Sequence, residues 1–227
     1  MALHHNPRIV TQGFHIHVDP ADKNCYPGSG TAIYDLSGNG RTMTLTNGAS
    51  VVDGAFVLDG SNDHVAYGYG GIFDWTSIPW TVMYWAKTTD STYPAVIDLI
   101  AAGNGHFIFE LHSTYIRINF RTPGGSSTYL IDYATTINSG EWYHSAFTRN
   151  GSTYKAYLNG SLVATNTNTG LNNTSGMSVI RIGYSSDYDA ADRTFEGSVG
   201  PVTIYENTLS DSQVEQNYLA TKSRFGL

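Results

Sequence analysis

The stretch WYHSAFTRNGSTYKAYLNGSLVA at residues 142–164 contains two Asn-Gly pairs, Asn150–Gly151 and Asn159–Gly160. A two-residue type I′ turn requires positive φ at both central residues, which Asn and Gly tolerate best. Between the pairs, residues 153–158 alternate with the two-residue period of a β-strand. We therefore predict three antiparallel strands connected by two type I′ hairpins.

The rest of the chain has the pattern of an all-β protein. It contains 24 Gly and 16 Tyr among 227 residues, and only 14% of residues are charged, which is typical of short strands connected by tight turns. Ser210 and Gln213 form a capping-box pattern that predicts one helix, ending near Lys222. Further strands are predicted at residues 14–18, 43–46, 55–58, 64–67, 80–87, 95–101, 106–111, 115–120, 129–133, 178–183, 193–196 and 200–205.

These elements predict an all-β fold, an antiparallel β-sandwich of the jelly-roll type with a short C-terminal helix. No change in composition divides the chain. We therefore expect an N-terminal arm at residues 1–12 and a single domain at residues 13–227.

Charge and hydrophobicity argue against several functional classes. The net charge is −7 and the 12 Lys and Arg residues are scattered, so no basic stripe for nucleic acid is present. No segment is apolar enough for membrane insertion, and the N-terminus lacks the pattern of a signal peptide, so we expect maturation in the cytosol. The lone Cys25 cannot form an internal disulfide and is interpreted as a partly buried thiol.

Four motifs resemble the laminin-G/pentraxin-like branch of the concanavalin A-like lectin and glucanase superfamily. They lie at residues 56–65, at residues 80–87, at residues 141–144 with the two hairpins, and at residues 195–205 followed by Leu209–Ser210. The resemblance implies a concanavalin A-like jelly roll. Residues 6–11, 26–31 and 34–40 also look like the opening of lectin-like domains in virion proteins of tailed phages. That resemblance implies a capsid decoration or fibre component.

Catalytic patterns are missing. The glucanases of this superfamily carry Glu-x-Asp-x-x-Glu on one strand, and retaining hydrolysis needs two carboxylates about 5 Å apart. None of the five Glu residues begins that pattern, and Glu110 has no acidic partner two residues away. Cys25 has no nearby His, and no Gly-x-Ser-x-Gly elbow is present. We therefore expect no enzymatic activity, and a glucan hydrolase is the third alternative.

Histidines and carboxylates are the candidate metal ligands in this chain. His15 and His17 alternate with apolar residues and are interpreted as outward polar side chains, because two ligands fall short of a site. His144 is interpreted as a packed, hydrogen-bonded core residue. The resemblance implies calcium near an Asp-Gly-x-x-Asp turn, although Gly197–Pro201 lacks the two carboxylates of the family's second element. Calcium is thus left open as a ligand, with no cofactor required, at Asp59, Asn62, Asp63, Asp187, Asp189 and Asp192. The alternatives are an Asp59 that stabilises its own turn and a solvated acidic loop at residues 186–192.

Exposed aromatic rings are the remaining candidates for binding, since sugars stack on rings and interfaces are rich in Tyr and Trp. For Phe73 or Trp75 alone, covering an edge of the sandwich is the alternative, and the loop tyrosines would serve equally at a protein interface. The candidates for glycan or partner contact are Tyr67, Tyr69, Phe73, Trp75, Tyr184 and Tyr188, and those for virion anchoring are Asn6, Pro7, Arg8 and Ile9.

The leading hypothesis is a non-enzymatic phage virion surface protein with a lectin-like adhesion domain. Its expected partners are capsid or other virion proteins, further copies of itself in a homo-oligomer, and cell-surface glycans, and its expected location is the virion, assembled in the host cytoplasm. The alternative is a free carbohydrate-binding module or lectin, for which calcium assistance is left open.

Overall fold

The computed structural model describes residues 7–68, 75–89, 94–101, 105–122, 126–169, 171, 177–186 and 193–227. Its strands are β1 (Phe14–Val18), β2 (Ala32–Tyr34), β3 (Thr42–Thr46), β4 (Ser50–Val52), β5 (Ala55–Asp59), β6 (His64–Gly68), β7 (Trp80–Thr88), β8 (Ala95–Ala101), β9 (His106–His112), β10 (Tyr115–Arg121), β11 (Ser127–Ala134), β12 (Tyr143–Asn150), β13 (Thr153–Leu158), β14 (Ser161–Thr167), β15 (Met177–Ile182), β16 (Tyr184–Ser185), β17 (Arg193–Thr194) and β18 (Glu196–Tyr205). Helix α1 (Asp211–Thr221) and a 3₁₀ helix at Lys222–Phe225 follow.

The strands form two antiparallel sheets packed face to face. The first sheet has the order β14-β13-β12-β7-β18-β5-β4, with β1 also paired to β18. The second sheet has the order β11-β10-β9-β8-β15-β6-β3-β2, and β16 and β17 form a separate two-stranded ribbon. The chain crosses between the two sheets several times, and hairpin runs such as β8–β11 and β12–β14 stay within one sheet. The predicted fold class is confirmed.

The two hairpins between β12 and β14 are present, but only the second has the predicted turn. Asn159 and Gly160 both have positive φ, of 49° and 80°, as type I′ requires. In the first hairpin Asn150 still pairs with Thr153, so Gly151 and Ser152 are the central residues. Gly151 has a φ of 58° and supplies the single positive φ typical of a type II′ turn. Asn150 therefore remains a strand residue.

The main core fills the space between the sheets and is rich in aromatic rings. Trp80 on β7 lies near its centre, with its ring centroid 5.8 Å from that of Phe109 and 6.2 Å from that of Tyr154. Tilted and edge-to-face contacts of this kind are the favoured geometry for aromatic pairs. The apolar pattern predicted on both sides of β7 is confirmed, since α1 covers part of its outer side.

A second, smaller core lies between the outer face of the first sheet and α1. Met83, Tyr157 and Tyr205 pack there against Val214 of the helix. The Ser210 side chain accepts the Gln213 amide and the Gln213 side chain accepts the Ser210 amide, so the predicted capping box is confirmed. None of the described helices is both long enough and apolar enough to cross a bilayer.

Strand β1 departs from the expected alternation. Its pairing with β18 shifts between Phe14 and Ile16, so Phe14 packs in the smaller core, while Ile16 packs in the main core. His15 is only 4% exposed and contacts Glu206, whereas His17 contacts the Thr203 hydroxyl at 2.9 Å. The interpretation of His15 as an outward polar residue is wrong, because the bulge changes which side chains face solvent.

Candidate functional site on the outer face of the second sheet

The outward positions of β8, β9 and β10 carry a concentration of polar side chains. The alternate residues of β9, Phe107, Phe109 and Leu111, belong to the main core, so Glu110 between them faces outward. The register places Arg117 of β10 opposite Glu110 on β9 and opposite Asp132 on β11. Three neighbouring strands thus bring opposite charges together on one face.

Arg117 is the centre of a stacked column of flat side chains. Its guanidinium lies 3.8 Å from the ring centroid of Tyr115 and 4.0 Å from that of Tyr129, and Tyr115 stacks on His112 at 4.3 Å. Its Nε and Nη2 donate to the two oxygens of Asp132 at 3.1 and 3.2 Å. We call His112, Tyr115, Arg117 and Tyr129 the Arg117 column. Cation–π contacts and the bidentate pair hold its members in one arrangement.

Glu110 lies beneath this column and is fully buried. Its carboxylate accepts from Arg193 at 2.5 Å and from Arg117 at 3.4 Å. Burial raises the pKa of Glu110, and the two arginines oppose that rise. Burial and the Glu110 charge together raise the pKa of Tyr115 to about 12. Burial alone would lower the pKa of Arg117, but Glu110, Tyr115 and Asp132 raise it overall, so Arg117 stays charged.

The ribbon of β16 and β17 lies over β8 and ties this face together. Ser185 pairs with Arg193 across the ribbon, and Arg193 reaches Glu110. At the other strand, the ring of Tyr184 stacks on His64 with centroids 5.4 Å apart, and Arg181 lies 5.5 Å from the Tyr184 ring. The ribbon therefore adds an aromatic ring and a cation to the face.

A second buried polar group lies beside the column. Asp98 on β8 contacts His106 on β9 through one carboxylate oxygen at 2.8 Å, and both residues are buried. The other oxygen of Asp98 and the hydroxyl of Ser185 have no hydrogen-bond partner among the described residues. Leaving such groups unpaired costs about 1–3 kcal/mol each. Both atoms are buried, so they lie out of reach of a ligand on this face.

Asp98 and Glu110 are two carboxylates on neighbouring strands, and glycoside hydrolysis requires a pair of carboxylates. However, both are 0% exposed and each is bound to cationic or basic side chains. Neither is open to a substrate. The arrangement can bind polar groups at its surface, but it does not present an acid and a nucleophile across an open cleft.

The predicted aromatic candidates have different outcomes. Tyr184 lies on this face, while Tyr67 is half-buried against the main core. The prediction that the Trp75 ring contacts a ligand is wrong, because its side chain is only 1% exposed. Its ring packs 5.3 Å from that of Trp80, and its carbonyl accepts the Trp80 indole N–H at 3.0 Å. The remaining three, Tyr69, Phe73 and Tyr188, lie outside the described residues.

The calcium candidates divide in the same way. The carboxylate of Asp63 accepts the amides of Gly48 at 2.7 Å and Asp59 at 3.2 Å, and Asp59 accepts the Ser61 amide at 2.9 Å. These bonds support the alternative in which the carboxylates stabilise their own turn. Among the described residues, no three His, Cys, Asp or Glu side chains are grouped to hold a metal ion. The carbonyl of Asn62 accepts a hydrogen bond from Asn47. The other three candidates, Asp187, Asp189 and Asp192, lie outside the described residues. Calcium binding stays a prediction.

The anchoring candidates lie beside α1. The Arg8 carbonyl accepts from Gln216 at 2.6 Å, and the Val10 amide donates to Asn217 at 2.7 Å. Pro7 and Ile9 are partly exposed there, and Asn6 lies outside the described residues. Their role in anchoring stays a prediction.

A comparison with known families identifies the relationship. Residues 59–215, more than half of the chain, match the model of a laminin-G family described as the concanavalin A-like lectin/glucanases superfamily. The chain belongs to this superfamily. No curated protein sequence matches it significantly.

Binding domains of clostridial toxins are among the similar solved structures of this superfamily member. The binding domain of botulinum neurotoxin serotype G has a TM-score of 0.72 and 14% identity, covering 92% of this chain and 51% of that chain. The binding domain of Paraclostridial Mosquitocidal Protein 1 has a TM-score of 0.69 and 15% identity, covering 92% and 52%. The serotype D domain in complex with N-acetylneuraminic acid has a TM-score of 0.68 and 16% identity, covering 92% and 51%. The chain spans about half the length of these structures, and the likeness shows the fold.

Proposed function

We propose that this chain is a non-enzymatic, lectin-like binding domain that recognises a glycan through the outer face of its second sheet, and that it is a surface component of a virion. The observation that carries the proposal is the Arg117 column. Its rings, imidazole and guanidinium are fixed by their neighbours before any ligand arrives. Groups that are already ordered lose little conformational freedom on binding.

The chemistry of the column suits a sugar. Tyr129 is 47% exposed and has an apolar ring with a polar hydroxyl, as carbohydrate contacts require. Arg117 and Asp132 add hydrogen-bond donors and acceptors at the same place. A small number of fixed polar groups beside aromatic surface is typical of a ligand site.

The state of the two carboxylates supports a non-enzymatic role. A general acid must exchange a proton with its substrate within hydrogen-bond reach. Asp98 and Glu110 are buried beneath the surface and held by His106 and by two arginines. They organise the face rather than react on it.

The virion part of the proposal is supported by the opening motifs of the chain, which resemble those of phage virion lectin-like domains. Residues 8–10 lie against α1, which packs on the outer face of the first sheet. An anchoring segment there would leave the outer face of the second sheet free for a glycan, in a decoration or fibre protein made of several copies.

The glycan function can be tested by array binding of the purified chain with and without chelator. Tyr129→Ala removes an exposed ring, and Tyr34→Ala removes a ring of similar exposure, 44%, on β2 at the far edge of the same sheet. We expect Tyr129→Ala to weaken glycan binding about tenfold, which corresponds to about 1.4 kcal/mol of binding free energy. Tyr34→Ala should leave the affinity unchanged. The proposal would be contradicted if the chain bound no glycan on the array, or if both variants lost the same amount of affinity. Turnover of a β-glucan by the chain would also contradict it.

The virion role has a separate test. A chain lacking residues 1–7 keeps the contacts of residues 8–10 with α1 and should still fold. We expect the full chain to co-purify with virus particles at a fixed copy number and the truncated chain to be lost from them. Full occupancy of the truncated chain would show that this segment is not the anchor.

A further inference from the structure

A groove of about 320 Å³ crosses the outer face of the first sheet, on the opposite side of the sandwich from the Arg117 column. The turn at Asp53–Gly54 between β4 and β5 forms one wall, and Trp142 and the 3₁₀ helix form the other. Its volume is at the lower end of the range for ligand sites. We call it the Trp142 groove.

The aromatic wall of this groove is rigid. Phe225 stacks on Trp85 with centroids 4.1 Å apart, and Trp142 lies 4.7 Å from Phe225. The Trp85 indole N–H donates to the Thr221 hydroxyl at 2.9 Å, which ties the stack to the end of α1. The facing wall is also fixed, since a Cβ on Gly54 would lie 2.6 Å from the Ala21 side chain. The groove is therefore formed before any ligand binds.

Two cations converge on the groove. The Lys87 ammonium lies 5.2 Å from the Trp142 ring centroid, and no carboxylate pairs with it among the described residues. The Arg224 guanidinium lies 5.5 Å from the Phe225 centroid and is already neutralised by Asp19 at 2.6 and 3.0 Å. Of these two groove cations, Lys87 is thus the one that no described carboxylate neutralises.

The remaining lining completes the chemistry. Val52, which is 52% exposed, and Val57 give an apolar floor, and Ser198 gives a hydroxyl. Asp53 also lines the groove as an exposed carboxylate; it opposes the binding of any anion, and opposes a doubly charged one more strongly. The groove therefore combines one free cation, apolar surface and hydrogen-bonding groups.

We propose that the Trp142 groove is a second binding site, which takes a monosaccharide bearing a single carboxylate. The carboxylate pairs with Lys87, the C–H face of the sugar ring contacts the valines and the edges of the two aromatic rings, and the sugar hydroxyls contact Ser198 and the backbone of the β4–β5 turn. This site is separate from the outer face of the second sheet, so either can exist without the other.

Tryptophan fluorescence gives a selective readout. Of the four Trp residues, Trp75, Trp80 and Trp85 are at most 2% exposed, whereas Trp142 is partly exposed in the groove. We would titrate the chain at low salt with N-acetylneuraminic acid, glucuronic acid, N-acetylglucosamine and sodium acetate. Saturable changes in Trp emission are expected with the two acidic sugars, much weaker changes with the neutral sugar, and weak changes with acetate, which lacks the ring.

Charge variants then test the assignment of Lys87. Lys87→Gln should weaken the affinity for the acidic sugars about fivefold, as expected for the loss of one exposed ion pair. Lys87→Arg should retain most of that affinity, and Asp53→Asn should increase it. Lys23→Gln makes the same change in net charge at an exposed residue outside the groove and should have no effect. Thermal unfolding of each variant confirms that it is folded.

Any of three results would overturn the inference. It fails if neither acidic sugar binds saturably, if the neutral sugar binds as strongly as the acidic sugars, or if Lys87→Gln and Lys23→Gln have equal effects on binding. Tyr129→Ala distinguishes this site from the proposed function, because it alters the Arg117 column and should leave binding in the groove unchanged.

Discussion

Lowering the pH from 7 to 5 should destabilise the native state by about 2 kcal/mol through His144 alone. This residue is 3% exposed, and its ring packs against Trp85 at 5.2 Å and Tyr218 at 5.8 Å. Its Nδ1 has no hydrogen-bond partner among the described residues. Burial without a partner lowers the pKa of His144 to about 3.

The sign and size follow from the difference between the folded and unfolded states. In the unfolded chain a histidine has a pKa of about 6.5, so below that pH the unfolded state takes up a proton that the native state refuses. The lowered pKa of His144 therefore contributes stability above pH 6.5 that is lost progressively as the pH falls towards 3. Between pH 7 and pH 5 the loss is about 2 kcal/mol, because each pH unit below 6.5 is worth about 1.4 kcal/mol.

Urea unfolding at pH 7, 6 and 5 measures this effect, with His144→Phe as the comparison. Phe fills the same aromatic stack and does not titrate, so it should equal or exceed the native chain in stability at pH 7 and lose about 2 kcal/mol less on going to pH 5. The pKa values of His15 and His17 are also lowered, mainly by burial, and their effects remain in both chains. An unchanged pH dependence in His144→Phe would refute the reasoning.

The same unfolding assay checks three further substitutions. Gly160→Ala should cost about 3 kcal/mol, because φ is 80° and the new Cβ would lie 2.8 Å from the Tyr218 ring; Gly38→Ala, with φ of 88° and open space, should cost only about 1–2 kcal/mol. Ser210→Ala should cost about 1 kcal/mol, because it removes the acceptor of the capping box. Glu110→Gln should cost about 3 kcal/mol at neutral pH, since it leaves two largely buried arginines without their shared carboxylate.

Several strands were predictable from alternation or from a continuous apolar run. Strands β1 and β8 have the predicted bounds, and β6 and β9 differ by one residue at one end. Strands β2 and β4 were missed, because three residues cannot show a period of two. The order of strands in each sheet depends on contacts far apart in the chain, which alternation does not encode.

The candidate site was less predictable than the fold, because the pairing register of the strands decides which side chains meet there. The alternation of Tyr115, Arg117 and Asn119 with apolar residues is visible in the sequence. Their partners are not, since a bulge between Ile118 and Asn119 changes the pairing with β11, and Arg193 arrives from a ribbon 83 residues after Glu110. Trp75 shows the opposite error, because an aromatic ring outside a strand has no periodicity that indicates burial.

Glu110 shapes the exposed face of the second sheet although it is itself buried. A carboxylate in the middle of the apolar run Phe-Ile-Phe-Glu-Leu is expensive to bury unless cations accompany it. The fold supplies two arginines, and one of them, Arg117, is held flat between two tyrosines as a result. The buried charge therefore fixes the geometry of the exposed column above it. If the column binds a glycan, Glu110→Gln should weaken that binding without any contact between Glu110 and the sugar, because Arg117 loses one of its two anchors.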